Sequence, residues 1–287
     1  RVIYEVAWTA ESEAALDDVS MAEPPAPGPA PFAVGETATY DVQWLNGPLD
    51  LTAGRITLRV VTPEAEDRGT AGEAPAWVFE LSLDTAPWVS RFFEAHDRFR
   101  TSADARLKPL LHRRYIREGR RAVDRVYAYD HSGRRVRSGD SPEAARDPGA
   151  LSLPLAPGAR DALTALWYVR TMPAAPGYAL TMPLNEAGRS LALTVSVPAR
   201  EAVTIDGASL PALRVEPRFS ARVQRRQPIE STIWLSDDRR RVPLMVEVAA
   251  GFGRDSLPRK PCPSYSNVVV PSGVVAVCTN PFFAASP

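Results

Sequence analysis

The chain has 287 residues, 45% of them hydrophobic and 8% aromatic, which is enough apolar surface for one large or two smaller packed domains and excludes wholesale disorder. Its 34 Lys and Arg balance 34 Asp and Glu, so no global field draws it to nucleic acid or to a membrane. No stretch approaches the roughly 20 apolar residues of a spanning helix.

In chain order, Val2, Tyr4, Val6 and Trp8 share one face of a first strand. No basic-then-apolar leader stands there, and the chain is expected to be a mature form whose leader has been removed. The run from Glu23 to Pro31 alternates proline with small residues, which predicts a stiff polyproline II spacer without a core of its own. Residues 1–31 therefore read as an arm that pairs with an edge of the main domain or with another molecule. The main domain opens at Phe32. Ala38, Tyr40, Val42 and Trp44 alternate with polar residues as one face of a strand, and Ile56, Leu58 and Val60 repeat the pattern. Further strands are expected from Trp77 to Leu83, around Phe99 to Thr101, and in a hairpin, Leu110 to Arg117 with Ala122 to Tyr129, turning at Glu118-Gly119-Arg120. Ser138 to Pro157 reads as loop. The clearest helix follows near 161–171, with Leu163, Leu166, Trp167 and Arg170 at helical spacing and Pro173 as its stop. Short strands then resume to Val248. One helix among a dozen or so strands predicts an all-β fold: a highly curved antiparallel sheet, an open β-barrel or a β-spiral, over residues 32–258.

Cys262 and Cys278 are the only cysteines, and no histidine stands near them. A disulfide closing a hairpin in the tail, residues 259–287, is the expected pairing. It would add about 3 kcal/mol and would favour an oxidising compartment. Two unrelated free thiols are the alternative.

Three stretches carry a family resemblance: Gly35-Glu36 with Tyr40, Trp44 and Ala53-Gly54; Asp161 through Arg170; and Ile233 through Pro243. Ser102 through Asp104, with Leu107 and Pro109, fits the same pattern. Over roughly residues 32–257 the chain resembles the bacterial exported proteins grouped as domain-of-unknown-function family 3108. The resemblance implies a β-rich envelope protein and transfers no catalytic residue.

The chemistry-bearing residues are sparse. His96, His112 and His131 form no metal-ligand spacing, and no Gly-x-Ser-x-Gly elbow accompanies them. No catalytic residue, metal or cofactor is assigned. From Arg106 to Arg137 the chain carries eleven Lys or Arg against three Asp or Glu. Arg113, Arg114, Arg117, Arg120, Arg121 and Arg125, interleaved with Tyr115 and Tyr127, are the candidate face for an acidic partner. The opposing reading is a solvated hairpin paired with acidic loops. Trp44, Trp77, Trp88, Trp167 and Trp234 read as core, with Trp44, Trp77, Trp167 and Trp234 also the candidate lining of an apolar ligand site. The sequence thus predicts a non-enzymatic periplasmic or surface-exposed protein that binds an envelope partner through its N-terminal arm or basic hairpin, with no nucleic-acid partner. A carrier of lipid or another apolar small molecule is the second reading, and a hydrolase the third.

Overall fold

Period-two alternation builds most of this protein. The computed structural model describes residues 22–46, 49–173, 175–219, 229–250 and 273–279. Eight strands come first: β1 (Thr37–Asn46), β2 (Leu49–Val61), β3 (Trp77–Thr85), β4 (His96–Ala103), β5 (Pro109–Glu118), β6 (Arg121–Asp130), β7 (Arg135–Gly139) and β8 (Leu151–Pro154). A short helix, α1 (Pro142–Arg146), sits between the last two, and α2 (Ala162–Arg170) follows them. The second set is β9 (Ala179–Glu186), β10 (Arg189–Ile205), β11 (Ala208–Phe219), β12 (Ile229–Ser236) and β13 (Pro243–Ala250), with β14 (Gly273–Thr279) last among the described strands.

The strands pair antiparallel in the order β8-β7-β6-β5-β4-β3-β2-β1-β14-β13-β12-β11-β10-β9. The chain walks from β1 out to β8, crosses through α2, and walks back from β9 to β13. β14 pairs with both β13 and β1 and joins the two halves. The outer strands β8 and β9 are not ladder neighbours, so the sheet is a curved, open barrel. Arg160 stands in the gap: its N–H donates to Pro183 O at 3.1 Å, and its carbonyl accepts from the Asn185 N–H at 2.6 Å. Irregular registers at Val42/Gln43, Ser102/Ala103, Ser196/Ala199 and Trp234/Leu235 sharpen the bend.

The concave face is filled by α2. Its Leu163, Ala165, Trp167, Tyr168 and Val169 join one core cluster with Tyr40, Leu58, Val60, Phe79, Leu193, Val195, Leu213 and Leu235 from the surrounding strands. Seven of its nine residues are buried; Ala162 and half-buried Leu166, one turn apart, mark its least covered face. Asp161 starts it, accepting from the Leu163 and Thr164 N–H groups at 2.8 and 3.1 Å. Trp167 stacks on Phe79 with ring centroids 4.7 Å apart, and Phe32 meets Trp167 and Trp77 edge-on. At the far end Arg170 is 2% exposed. It pairs with Glu36 at 2.6 Å, donates to Arg240 O at 2.9 Å, and lies over the Trp167 ring.

The expected strand faces hold: Ala38, Tyr40 and Val42, and likewise Ile56, Leu58 and Val60, turn toward this core. Several elements differ from expectation. From Glu23 onward the proline run is not a free spacer but lies against α2. Pro24 is buried, the Tyr168 hydroxyl donates to Pro25 O at 2.9 Å, and a Cβ on Gly28 would sit 2.7 Å from Thr171 O. Residues 138–157 hold α1 and β8 rather than loop. Ser141 caps α1, Pro142 opens it, and Gly139 admits its backbone, since a Cβ there would stand 2.6 Å from Ala145 N. The tail contributes β14 to the sheet; Cys278 lies on that strand, opposite Asp41 of β1. Residues 1–21 and Cys262 lie outside the described residues, and with them the first strand and the disulfide.

Truncating the central ring tests this packing. Trp167→Ala is expected to lower the unfolding free energy by about 3 to 5 kcal/mol, measured by urea denaturation. A loss below about 1 kcal/mol would mean that α2 is not the centre of the core.

Candidate functional site

A polar stripe runs along the inner faces of β4, β5, β6 and β9, beside the start of α2. Alternation on β5 sends His112 and Arg114 inward and Arg113 and Tyr115 outward. Thr101 of β4, fully buried, lies 2.7 Å from His112 Nδ1 and donates to Asp161 Oδ1 at 3.3 Å. The same His112 nitrogen is 3.9 Å from Asp161 Oδ1. The imidazole is sandwiched between Phe99 and Tyr127, at 6.2 and 6.1 Å between ring centroids. Further along, Arg114 pairs with Glu186 at 2.7 Å and the Tyr129 hydroxyl donates to Asn185 Oδ1 at 3.3 Å.

This geometry decides what the stripe can do. A nucleophile–His–carboxylate relay uses both ring nitrogens, one for each partner. Here Thr101 and Asp161 address the same nitrogen, so the ring passes no proton between them. Asp161 is already engaged as the helix cap, with Thr164 Oγ1 donating to its Oδ2 at 2.9 Å. Burial, reinforced by Arg114, lowers the His112 pKa and favours the neutral ring, while Asp161 and Glu186 oppose that shift. The stripe fastens α2 to the barrel wall.

The other two histidines lie elsewhere. His96 bridges Asp84 and Glu94, whose carboxylates raise its pKa. His131 bonds Pro109 O at 2.8 Å, and burial lowers its pKa. Among the described residues no three His, Cys, Asp or Glu side chains group as a metal site.

The basic segment divides between faces. Arg113 is held on the outside by Glu66 at 2.8 Å, while Arg114 is inside with Glu186. Arg117, Arg120 and Arg125 are exposed and have no ion pair among the described residues. Arg121 lies on β6, and its side chain falls outside the description. The sequence reading missed a neighbouring network on the outer face. There Arg100 takes both oxygens of buried Asp67, at 2.9 and 2.7 Å, and also pairs with Glu80. Despite its burial, Asp67 has a pKa below the usual carboxylate range because Arg100 and the Glu64 N–H bond the ionised form.

Of the tryptophans whose side chains are described, Trp77 and Trp167 meet around Phe32, and Trp234 and Trp88 stand apart from them. Trp167 and Trp77 belong to the main core. Trp234 belongs to a separate cluster with Val203, Ile205, Ala212 and Leu244, while its neighbours Ile233 and Leu235 face the main core. Trp44 lies on β1, with its side chain outside the description. Trp88 is half-exposed on the loop after β3.

The comparisons with known proteins agree with the fold. A family model described as "Protein of unknown function (DUF3108)" matches residues 39–257. A solved structure described as a beta-barrel-like protein of domain of unknown function DUF1849, from Brucella abortus, is similar in shape. It has a TM-score of 0.51 and 13% identity, covering 85% of this chain and 94% of that one. No curated protein matches significantly.

A pH titration of stability checks the assignment of His112. Its folded pKa is lowered below the ordinary 6.5, so the unfolded chain takes up the proton first. Its contribution is full above pH 6.5 and falls away as the pH drops below it, with a slope of at most about 1.4 kcal/mol per pH unit. His131 acts in the same direction and His96 in the opposite one. His112→Gln is expected to flatten the decline just below pH 6.5. An unchanged slope would contradict a buried neutral imidazole.

Proposed function

We propose that this chain, which belongs to the DUF3108 family, is a non-enzymatic protein of the bacterial cell envelope that binds an acidic partner on its outer surface. The observation that carries the reading is the filled interior. α2 occupies the space that a barrel-like sheet would otherwise offer a ligand, with seven of its nine residues buried. Binding then falls to the outside, where Arg117 and Arg120 of the β5–β6 hairpin are exposed without carboxylate partners among the described residues, whereas Arg125 stands opposite Arg114 and shares its inner face. Residues 1–21, outside the described residues, are the second proposed docking element. Placement in the periplasm or at the cell surface rests on the family resemblance and on Cys262 and Cys278 read as a disulfide.

Two rival readings have less support. An apolar carrier requires α2 to vacate the concave face. A hydrolase requires a relay that the Thr101–His112–Asp161 arrangement lacks.

The test is affinity purification from detergent-solubilised native envelope, with mass spectrometry for proteins and lipids. The expected result is a stoichiometric protein partner, recovered about fivefold less well or worse by Arg117→Ser/Arg120→Ser; two exposed charges worth about 0.5 to 1 kcal/mol each support that factor. An empty monomer, or equal recovery by the variant, overturns the reading.

A further inference from the structure

Phe92 is 88% exposed, whereas most other aromatic rings among the described residues are packed away. It sits on the loop between β3 and β4, with half-exposed Trp88 beside it. This loop is tied down. The Ala86 N–H donates to Ala53 O at 2.8 Å, and the Phe92 and Phe93 N–H groups both donate to Val89 O at 2.8 Å. Thr85 Oγ1 lies 3.0 Å from Ser90 Oγ and accepts from the Ala95 N–H at 3.1 Å. Val89 is buried at the base, and the Trp88 indole N–H donates to Thr52 O at 2.8 Å, which fixes the ring. An apolar ring held out into water by a hydrogen-bonded loop is pre-organised to enter something.

The surroundings indicate what it enters. Arg91 neighbours Phe92 in the loop. The tip of the β5–β6 hairpin abuts the same loop, the Gly119 N–H donating to Glu94 O at 2.7 Å. Arg91, Arg117 and Arg120 are exposed without ion-pair partners among the described residues. The nearby carboxylates Asp84 and Glu94 are engaged by Arg98 and His96, and Asp124 is the exposed carboxylate that the hairpin sets against the three arginines. A protruding phenylalanine with a tryptophan at its shoulder, ringed by arginines, matches the depth profile of a bilayer surface. There apolar rings sit below the headgroups and guanidinium groups sit among phosphates.

The geometry points to loop 86–93, with the adjacent hairpin tip, as a docking site for an anionic lipid surface. This rests on the reading that the outside of the barrel does the binding, and it makes one end of the molecule face a membrane. Phe92 provides insertion, Arg91 and Arg120 provide attraction to phosphate, and the anchored loop keeps the ring presented.

The test is sedimentation of the full chain with vesicles of equal parts phosphatidylcholine and phosphatidylglycerol, against phosphatidylcholine alone. Binding is expected to the mixed vesicles only and to weaken with added salt. Phe92→Ser is expected to lower partitioning about tenfold or more, and Arg91→Ser about fivefold. Because Phe92 is exposed, its variant should keep the wild-type circular dichroism and unfolding midpoint. No binding to mixed vesicles, equal binding to both kinds, or full binding by folded Phe92→Ser overturns the inference. If protein-partner recovery survives that result, Phe92 marks a protein contact and only the membrane assignment falls. Vesicle binding without a recoverable protein partner retains the membrane surface and removes the partner reading.

Discussion

A nine-residue helix is too short to persist alone in water, and an open curved sheet has nothing of its own to fill its hollow. Each supplies what the other lacks. Strand side chains from both halves of the sheet close on α2, and α2 in turn holds those halves around a common core. The polar groups follow from this burial. A helix placed inside a barrel leaves its first N–H groups without water, so Asp161 must cap them. Its last residue, Arg170, is buried with it and is held by Glu36, a backbone carbonyl and aromatic faces. The proline run completes the enclosure by laying a rigid segment along the helix, with the Tyr168 hydroxyl bonded to Pro25.

Much of this was legible in the residues. The alternation of Ala38, Tyr40 and Val42, and of Ile56, Leu58 and Val60, correctly assigns the inner face of the sheet. The boundaries of α2 follow from Asp161 and Pro173. Its placement inside the barrel was also encoded, because Leu163, Ala165, Leu166, Trp167, Tyr168 and Val169 leave no broad polar face, although the helical spacing of Leu163, Leu166 and Trp167 also suits a helix lying across a sheet. Charge counting misleads for a similar reason. It sums Arg113 and Arg114, which period two sends to opposite sides of β5. Their partners Glu66 and Glu186 lie 47 and 72 residues away along the chain, a separation no local pattern reveals. The α1 helix was signalled by Ser141-Pro142, and is short enough to be lost among turn residues. The buried bond between Arg100 and Asp67 had no local signature at all.

The polar stripe around His112 shows how easily architecture can resemble chemistry. Threonine, histidine and aspartate lie within reach of one another, yet the aspartate belongs to the helix cap and the histidine presents one nitrogen to both neighbours. Their role follows from the helix they hold. With the interior committed to packing, the proposed recognition falls to the outer surface, where the β5–β6 hairpin tip and the anchored loop bearing Phe92 adjoin.

Hydrogen exchange on the amides of α2 tests the central claim most directly. If the helix is the packed centre of the fold, its amides exchange only through global unfolding, with protection free energies equal to the whole protein's stability. Exchange of the α2 amides well ahead of those in β2, β3 and β10 would contradict this, showing a helix that leaves its seat and an interior open to a ligand.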